Sequence, residues 1–199
     1  MEDFSLDVVV GQGPGARTLR LDLPPFTLVG ATTRVGMLGA PLRDRFGMIY
    51  HLDYYDTADL EKIIGRSAKI LKTDLNAEAA KTIAKRSRFT PRIGNRLLKR
   101  IRDYAQVHGH EVVTLQTVQA TLDLLEIDGL GLDAVDRKVL ASMVSHFSGG
   151  PVGLGTLSAV TGEEEQTLEE VIEPFLLQCG LLKRTPRGRV VTDKGLQHV

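Results

Sequence analysis

The sequence predicts a mixed α/β fold that is mostly α-helical, and three observations support this prediction. Two β-rich runs separated by turn residues open the chain, apolar residues at helical spacing fill its middle, and a basic two-stranded pattern closes it. The 199 residues are 42% hydrophobic and 25% charged, which is ordinary for a globular protein. This length suffices for one large domain or for two to three small ones.

Composition excludes several classes of function. The formal net charge is +0, so the charge of the whole chain predicts no partner. Cys179 is the only cysteine, which excludes an intramolecular disulfide and a cysteine-based zinc site. The five histidines lack metal-binding spacing, and the chain has neither a long apolar run nor a leader pattern. We therefore expect no metal site, no membrane contact and a cytoplasmic location, and the first methionine is compatible with an internal position in a longer protein.

The N-terminal part predicts strands. Leu6–Val10 and Arg17–Leu23 are β-rich, and the turn residues Gln12–Gly15 lie between them, which predicts a β-hairpin. The short apolar run Phe26–Ala31 is typical of a strand that is buried on both faces of a parallel sheet. Such a strand needs sheet neighbours that this sequence does not supply. We therefore expect residues 1–52 to be poorly ordered or to aggregate in isolation.

The middle of the chain predicts four helices in succession. Apolar residues at helical spacing follow Thr57, Asn76 and Thr90, which are polar residues suited to helix N-termini, and Pro91 suits a first helical position. The predicted helices begin at Thr57, cover 77–88, begin at Pro91 and cover 115–126. We assign residues 53–130 to one small α-helical domain.

The last part of the chain predicts a second small domain. The glycine-containing segment Asp128–Asp133 is the best candidate for a linker. Beyond it, the pattern predicts helices over 134–147, 154–161 and 166–178, and short strands over 181–183 and 189–192. Three helices followed by a basic hairpin form the winged version of the helix-turn-helix. Residues 131–199 are therefore predicted to be a winged-helix domain that binds DNA.

The glycine cluster at residues 11–18 does not predict phosphate binding. A P-loop ends in Gly-Lys-Ser/Thr, because the lysine must reach the β- and γ-phosphates and the hydroxyl must hold magnesium. The cluster contains no lysine, and a strand follows it where a helix is required. A hairpin turn is the better interpretation.

Two segments after the predicted buried strand contain candidate catalytic residues. Thr33 follows the carboxyl end of that strand, where ligands bind in open α/β sheets, although polar residues end most strands. Arg43 and Arg45 flank Asp44 between apolar residues. An arginine offered to a neighbouring subunit can stabilise charge during phosphoryl transfer. The alternative is a surface ion pair that contributes little.

Basic residues concentrate in two other places. Arg92 lies in the first turn of a predicted helix, where a cation is unfavourable unless an anion compensates it. It belongs to segment 81–103, which holds nine Lys and Arg against one Asp. The C-terminal hairpin holds the basic residues Lys183, Arg184, Arg187, Arg189 and Lys194 against Asp193. Clustered arginines suit DNA phosphates, and a solvated basic surface is the alternative in both places.

The acidic run Glu163–Glu165 precedes the helix that would enter the major groove. Acidic residues are favourable at a helix N-terminus, so a structural interpretation suffices. They would repel DNA where such helices usually contact it. The sequence therefore does not favour a helix that enters the major groove deeply and contacts the bases.

Taken in order, the motifs resemble one family. They are Met-Glu-Asp-Phe at 1–4, Leu-Pro-Pro-Phe-Thr-Leu-Val-Gly-Ala-Thr-Thr-Arg at 23–34, Pro-Leu-Arg-Asp-Arg-Phe-Gly at 41–47, Thr-Pro-Arg-Ile-Gly-Asn-Arg-Leu-Leu at 90–98, Gly-Gly-Pro-Val-Gly-Leu at 149–154 and Arg-Thr-Pro-Arg-Gly-Arg at 184–189. The series closely resembles RuvB, a bacterial AAA+ motor family, from one end of the chain to the other. Each motif alone is moderate evidence, and all of them in register are strong evidence.

The resemblance implies roles for residues of the nucleotide site. Residues 1–52 would be a remnant of the AAA+ α/β ATPase domain, and 53–130 would be its lid. Glu2, Asp3 and Phe4 match a nucleotide-contacting segment just past the acidic Walker B motif. The remaining matches are Thr33 with sensor 1, Arg45 (with Arg43 the less suitable choice) with the arginine finger, Tyr55 with a nucleotide-site residue, and Arg92 with sensor 2.

The resemblance also implies partners. The hairpin 5–22 matches the element that docks on RuvA, the junction-binding partner, and a RuvC-like resolvase would be contacted indirectly. Arg184 and Arg189 match DNA-contacting arginines of the winged-helix domain. Glu165 departs from the pattern, because relatives often carry an arginine at this position, and this puts one contact to the DNA backbone in doubt.

The implied function is ATP-dependent branch migration of Holliday junctions by a hexameric DNA helicase that uses ATP and Mg²⁺. The sequence contains neither a Gly-Lys-Ser/Thr motif nor an Asp-Glu pair after an apolar run. Positioning and charge stabilisation are nearly all of phosphoryl-transfer catalysis, so we expect this chain alone not to hydrolyse ATP. The alternatives are a non-enzymatic winged-helix DNA-binding module, a clamp-loader-like AAA+ subunit, and an adaptor acting through the hairpin alone.

Overall fold

The computed structural model describes residues 4–11, 13 and 16–199. The chain divides into two compact units, of which the first ends at His51 and the second covers Leu52–Val199. The first unit contains the hairpin, a 3-10 turn and a short helix. The second unit contains the helical domain and the winged helix.

The first unit begins with the predicted hairpin. Strand β1 (Ser5–Val10) pairs antiparallel with strand β2 (Arg17–Asp22), with Ser5 opposite Asp22 and Val10 opposite Arg17. The hairpin prediction is therefore confirmed. Its predicted turn falls partly outside the described residues, because Gln12, Pro14 and Gly15 are not among them. Apolar side chains of both strands are exposed, including Leu6, Val9 and Leu19.

The predicted buried strand Phe26–Ala31 is wrong. Within the described residues of this unit after β2, regular structure is limited to a 3-10 turn at Val35–Met37 and helix α1 (Ala40–Arg43). Phe26, Leu28 and Val29 are exposed rather than buried. A strand exists only by hydrogen bonding to a neighbour, and the described residues provide none for this segment.

The second unit begins with four helices. They are α2 (Thr57–Ile70), α3 (Ala77–Lys85), α4 (Pro91–Val107) and α5 (Leu115–Leu124). The loops between them carry the two-residue strands β3 (Asp74–Leu75) and β4 (Val112–Val113), which pair in parallel and were not predicted. The apolar stripes of the helices form one core, with Ile83, Leu98 and Leu122 fully buried.

Local capping explains where these helices begin. Asp56 rather than Thr57 caps α2, because its Oδ1 accepts a hydrogen bond from the Asp59 N–H at 2.7 Å. Asn76 caps α3 as predicted, accepting from the Ala79 N–H at 2.7 Å. Pro91 occupies the first turn of α4, also as predicted. The sequence pattern therefore locates helix starts to within about one residue.

Helix α3 ends earlier than predicted, at Lys85 rather than at residue 88. The buried Ser87 hydroxyl donates to the Ile83 carbonyl at 2.7 Å, which satisfies one of the last carbonyls of the helix. Arg88 and Phe89 then adopt φ of +50° and +58°. Two consecutive left-handed residues are incompatible with a continuing helix and turn the chain toward α4.

The rest of the second unit is a winged helix. Its elements are α6 (Ala134–Phe147), α7 (Leu154–Thr161), α8 (Glu165–Thr167), a π-helical segment (Leu168–Ile172), α9 (Glu173–Gln178), the strands β5 (Leu182–Thr185) and β6 (Gly188–Val191), and α10 (Asp193–His198). The predictions over 134–147 and 154–161 are confirmed. The predicted helix 166–178 contains a π-helical segment, and α10 was not predicted. A separate core forms here around Leu140, Leu176 and Leu181.

The predicted linker Asp128–Asp133 is a packed turn. The Asp128 Oδ1 accepts hydrogen bonds from the N–H groups of Leu130 and Leu132 at 2.8 and 2.9 Å. Its Oδ2 lies 2.7 Å from the Nε2 of His198 at the end of α10. Burial alone would raise the pKa of Asp128, but these hydrogen bonds and His198 lower it below its usual value. The turn is thus fixed to the C-terminal helix of the winged-helix domain.

Candidate nucleic-acid interface and nucleotide groove

The wing formed by β5 and β6 is held at a fixed position by a neighbouring loop. Thr185 pairs with Gly188 at the turn, and Arg184 lies directly opposite Arg189. The backbones of Val152 and Arg189 exchange two hydrogen bonds of 2.9 and 2.8 Å, which add a bridge beside β6. Gly188 has φ +133° and packs closely on the Val152 backbone. The two arginines therefore project from a hairpin with a rigid base.

Both wing arginines bind one buried carboxylate, that of Glu173 on α9. The Nε and Nη2 atoms of Arg184 lie 2.6 and 3.0 Å from the Glu173 oxygens. The same atoms of Arg189 lie 3.2 and 3.0 Å from them. Glu169, one turn earlier, lies 3.9 Å from Arg184. We call Glu173, Arg184 and Arg189 the wing clamp.

Ionisation of the wing clamp follows from these contacts. Burial alone would raise the pKa of Glu173, but the hydrogen bonds and charges of Arg184 and Arg189 outweigh it and lower the pKa below its usual value. The hydrogen bond to Glu173 raises the pKa of Arg184 above its already high value. Glu173 and Arg184 are therefore both charged at neutral pH.

The basic residues of the wing differ in what they can offer to DNA. The side chain of Arg184 is 52% exposed, whereas that of Arg189 is 16% exposed. Lys183 and Arg187 are exposed, and Lys194 donates to the Cys179 carbonyl at 2.7 Å. A phosphate approaching the wing would therefore meet Arg184 before Arg189. The sequence pattern identified both arginines, but it did not predict which of them is the more exposed.

Glu173 was missed from the sequence. One signal for it was present, because Glu173 lies in the apolar pattern of its helix between Ile172 and Phe175, both of which are buried. A carboxylate at such a position requires a cationic partner. The acidic residues that the sequence did single out behave differently: Glu164 and Glu165 are exposed at the start of α8.

Arg92 lies on a shallow groove along the first two turns of α4. The groove has a volume of about 400 Å³ and is lined by Arg92, Ile93, Asn95, Arg96 and Lys99. Three cations on one groove suit the phosphates of a nucleotide. The buried Oδ1 of Asn95 has no hydrogen-bond partner among the described residues. The groove is therefore suited to an anionic ligand.

Tyr55 is held to the loop that leads into this helix. Its backbone N–H donates to the Phe89 carbonyl at 3.1 Å, and the residue is 46% exposed. The preceding Tyr54 contacts the Phe89 ring edge-on, with centroids 6.2 Å apart. Phe89 is three residues before Arg92, so the structure connects the two sequence-predicted nucleotide residues of this unit through one loop.

The loop also joins the helical domain to the winged helix through Arg88. Its Nη2 lies 2.8 Å from Asp133 and 2.6 Å from Asp136, and its Nε donates to the Gly131 carbonyl at 3.1 Å. The guanidinium lies 4.6 Å from the centroid of the Phe175 ring. Five residues thus meet at a contact that the sequence did not reveal.

The other predicted site residues belong to the first unit. Thr33 and Arg45 are exposed, and Arg45 lies in the turn that follows α1. Arg43 is partly buried. Phe4 packs edge-on against Phe26, with centroids 6.0 Å apart. Glu2 and Asp3 lie outside the described residues.

The described part of the chain lacks the features of two other classes of site. Across residues 4–11, 13 and 16–199, no three His, Cys, Asp or Glu side chains are grouped so that they could hold a metal ion. In the same part of the chain, no helix has the length and apolar character needed to cross a membrane.

A domain of four helices joined to a winged helix, with arginines on the groove and the wing, corresponds to the lid and winged-helix domains of an AAA+ protein. Family models support this class along the whole chain. Residues 1–52 match the Holliday junction DNA helicase RuvB P-loop domain, 55–128 the RuvB AAA lid domain, and 129–199 the RuvB C-terminal winged helix domain. The chain belongs to the RuvB family, which confirms the resemblance seen in the sequence.

Solved structures agree with this assignment. The Thermotoga maritima RuvB Holliday junction branch migration motor is 50% identical over 88% of this chain and 59% of its own, with a TM-score of 0.81. A proline-to-glycine variant of Thermotoga maritima RuvB is 47% identical over 99% of this chain and 62% of its own, with a TM-score of 0.82. The chain thus spans about three-fifths of the RuvB chains that it matches.

Proposed function

We propose that this chain acts in the cytoplasm as part of an ATP-dependent motor that drives branch migration of Holliday junctions. The wing clamp carries this proposal, because it places two arginines side by side on the domain that matches the RuvB winged helix. Arginine pairs bind phosphate oxygens irrespective of base sequence, which suits a motor that moves along DNA. Exposed Lys183 and Arg187 extend the basic surface.

The remaining parts of the proposal follow the family. We assign 1–52 to part of the ATPase domain, 53–130 to the lid and 131–199 to the winged helix. The nucleotide, when bound with Mg²⁺, would supply the energy of phosphate-bond hydrolysis. Arg92 would hold it at the groove, with Glu2, Asp3, Phe4, Thr33 and Tyr55 contributing and Arg45 offered to the next subunit. The hairpin 5–22 would contact a RuvA-like junction-binding protein, a RuvC-like resolvase would be met indirectly, and the subunits would form a hexameric ring.

We expect this 199-residue chain alone to hydrolyse no ATP. It contains no Gly-Lys-Ser/Thr sequence, and most catalysis of phosphoryl transfer comes from groups that position the phosphates and magnesium. Release of phosphate from ATP should be measured with Mg²⁺ at several chain concentrations, with and without duplex DNA. Turnover near the roughly 1 s⁻¹ or more of typical enzymes would contradict this expectation.

The proposed DNA contact predicts salt-dependent binding to linear duplex and to a four-way junction with similar affinity. Replacing Arg184 and Arg189 together by alanine should weaken binding to both DNAs by about tenfold or more. It should also reduce the slope of log K against log salt by about one for each phosphate that the wing no longer neutralises. The measurement is fluorescence anisotropy of labelled DNA over a salt series.

A matched variant distinguishes the effect of the wing arginines from the effect of the total charge of the chain. Changing Lys62 and Lys69 of α2 to alanine also removes two exposed positive charges, and it should leave affinity nearly unchanged. Equal losses in both double variants would mean that only net charge matters. Unchanged binding after loss of the two wing arginines would refute DNA contact by the wing.

A further inference from the structure

Glu173 on α9 has no direct part in the proposed DNA contact, yet it binds both arginines of the wing. Its side chain is 5% exposed and carries a charge beneath two arginines. Apolar residues often replace a buried ion pair without loss of stability, so a functional explanation is called for. We propose that Glu173 is a positioning residue that holds Arg184 and Arg189 in one fixed arrangement for DNA phosphates. This inference rests on the proposed DNA binding by the wing.

Both arginines present the same edge to Glu173. Each uses its Nε and Nη2 atoms, at distances from 2.6 to 3.2 Å. Among the described residues, the Nη1 atom of neither arginine has a hydrogen-bond partner. Each guanidinium therefore keeps N–H donors for a phosphate oxygen while its other edge is fixed. A planar guanidinium can bind one partner through one edge and a second partner through its remaining N–H groups, which the ammonium group of lysine cannot do in a fixed geometry.

The carboxylate also removes a repulsion that would separate the arginines. Arg184 and Arg189 are direct cross-strand partners, and like charges at such positions destabilise a strand pair. Glu173 lies between them and reduces the charge of the three groups to +1, since two arginines and one glutamate are present. The clamp thus allows two guanidinium groups to remain side by side where unpaired ones would diverge.

A phosphate in solution is not expected to displace Glu173. The carboxylate borders the interior of the winged helix, in a space also lined by Val139, Ile172 and Leu176. An anion from DNA would have to lose its water to reach that position. DNA therefore meets arginines that are already ordered. Ordering two free arginine side chains during binding would weaken the affinity by about tenfold.

The test is Glu173→Gln in the full chain, measured by DNA anisotropy over a salt series. Glutamine keeps the shape but offers one acceptor oxygen and presents an amide N–H group to a guanidinium. We expect the dissociation constant to rise about tenfold and the salt slope to become shallower by about one. Weaker binding would distinguish the two explanations. The variant carries one more net positive charge than the native chain, so electrostatics alone predicts tighter binding to DNA.

Glu169→Gln is the matched control. Glu169 precedes Glu173 by one turn, is 52% exposed and lies 3.9 Å from Arg184. The change removes the same charge without breaking the clamp, so we expect equal or tighter DNA binding. Glu173→Asp keeps the buried charge with a shorter reach, and its affinity should lie between those of the native chain and Glu173→Gln. If circular dichroism shows that Glu173→Gln unfolds the wing, Glu173→Asp carries the same test.

Combining Glu173→Gln with the two arginine-to-alanine changes distinguishes failure of this inference from failure of the proposed DNA contact. When Arg184 and Arg189 are both alanine, Glu173→Gln should cause no further loss of affinity, whereas a merely structural role would still cause one. Native or tighter binding by Glu173→Gln, with weaker binding by the double arginine variant, would overturn this inference and leave the proposed function standing. Native binding by the double arginine variant would overturn both.

Discussion

Replacing Arg88 by methionine is expected to destabilise the second unit by about 3–5 kcal/mol, because a buried carboxylate loses its cationic partner. Asp136 is 1% exposed, and its Oδ2 lies 2.6 Å from the Arg88 Nη2. Its Oδ1 has no partner among the described residues. Methionine fills part of the volume but leaves this charge in an apolar setting. It also removes the cation above Phe175 and the donor to the Gly131 carbonyl.

The measurement is urea unfolding followed by circular dichroism, with Arg102→Met as the control. Arg102 pairs with Asp103 at 2.6 Å, but these side chains are 29% and 49% exposed. Partly exposed pairs contribute about 1 kcal/mol or less, so the control should lose little stability. Because Arg88 joins the two cores, its loss should also separate one cooperative transition into two. Equal losses in both variants would show that the contact contributes no more than a surface pair.

The same contact predicts a dependence of stability on pH. Burial, as the largest influence, raises the pKa of Asp136 from 3.8 to about 6, against the opposing effect of Arg88. The folded chain therefore retains a proton that the unfolded chain has already released. The stability from this group is complete below pH of about 4 and is lost as the pH rises to about 6. The Arg88→Met variant should consequently be less impaired at pH 4.5 than at pH 7.5.

Asp136→Asn isolates this effect. Asparagine can still accept the hydrogen bond from the Asp133 N–H through its oxygen, so the N-cap of α6 is retained. The variant should lack the decline in stability between pH 4 and 6 that we expect for the native chain. Glu173 has the opposite effect on stability. Because its pKa is lowered in the folded chain, its contribution to stability is lost only as the pH falls below the usual pKa of a glutamate. An unchanged pH profile in Asp136→Asn would remove Asp136 from the explanation.

Local chemistry explains which parts of the fold were predictable from sequence. The Asn76 cap, Pro91 in the first turn of α4 and the span 134–147 of α6 each depend on residues close in sequence. The strand predicted at Phe26–Ala31 failed for the opposite reason. Its apolar run is compatible with a strand, but strand formation depends on a neighbour elsewhere. The spacing of apolar residues shows which face of a strand could be buried. It does not show whether a neighbouring element is present to cover that face.

The candidate site shows the same division. Arg92, Arg184 and Arg189 could be found because they lie in short motifs with unusual charge. Glu173 and the Arg88–Asp136 pair could not, since their partners lie 11 to 48 residues away. A charge in an apolar helical stripe signals that a partner exists without identifying it. Contacts of this range become visible only when the chain is folded.

Gly188→Ala is expected to destabilise the winged helix by about 2–4 kcal/mol. Gly188 has φ +133°, which side-chain-bearing residues rarely adopt. An added Cβ would lie 2.5 Å from the Val152 carbonyl oxygen and 2.7 Å from its carbon. Those are backbone atoms of the bridge to Arg189, so relief requires the wing to move away. DNA affinity should fall as well, because Arg189 is the next residue and shares the wing clamp.

Gly153→Ala is the control for this prediction, because it adds the same methyl group to the loop that packs on the wing. Gly153 is the N-cap of α7 with φ −72°, and its added Cβ would come no closer than 3.9 Å to Thr156. We expect it to change stability by about 1 kcal/mol or less. Thermal unfolding and DNA anisotropy should be measured on both variants. Retention of native stability by Gly188→Ala would mean that the Val152 bridge yields easily, and the wing clamp would then not depend on a rigid hairpin.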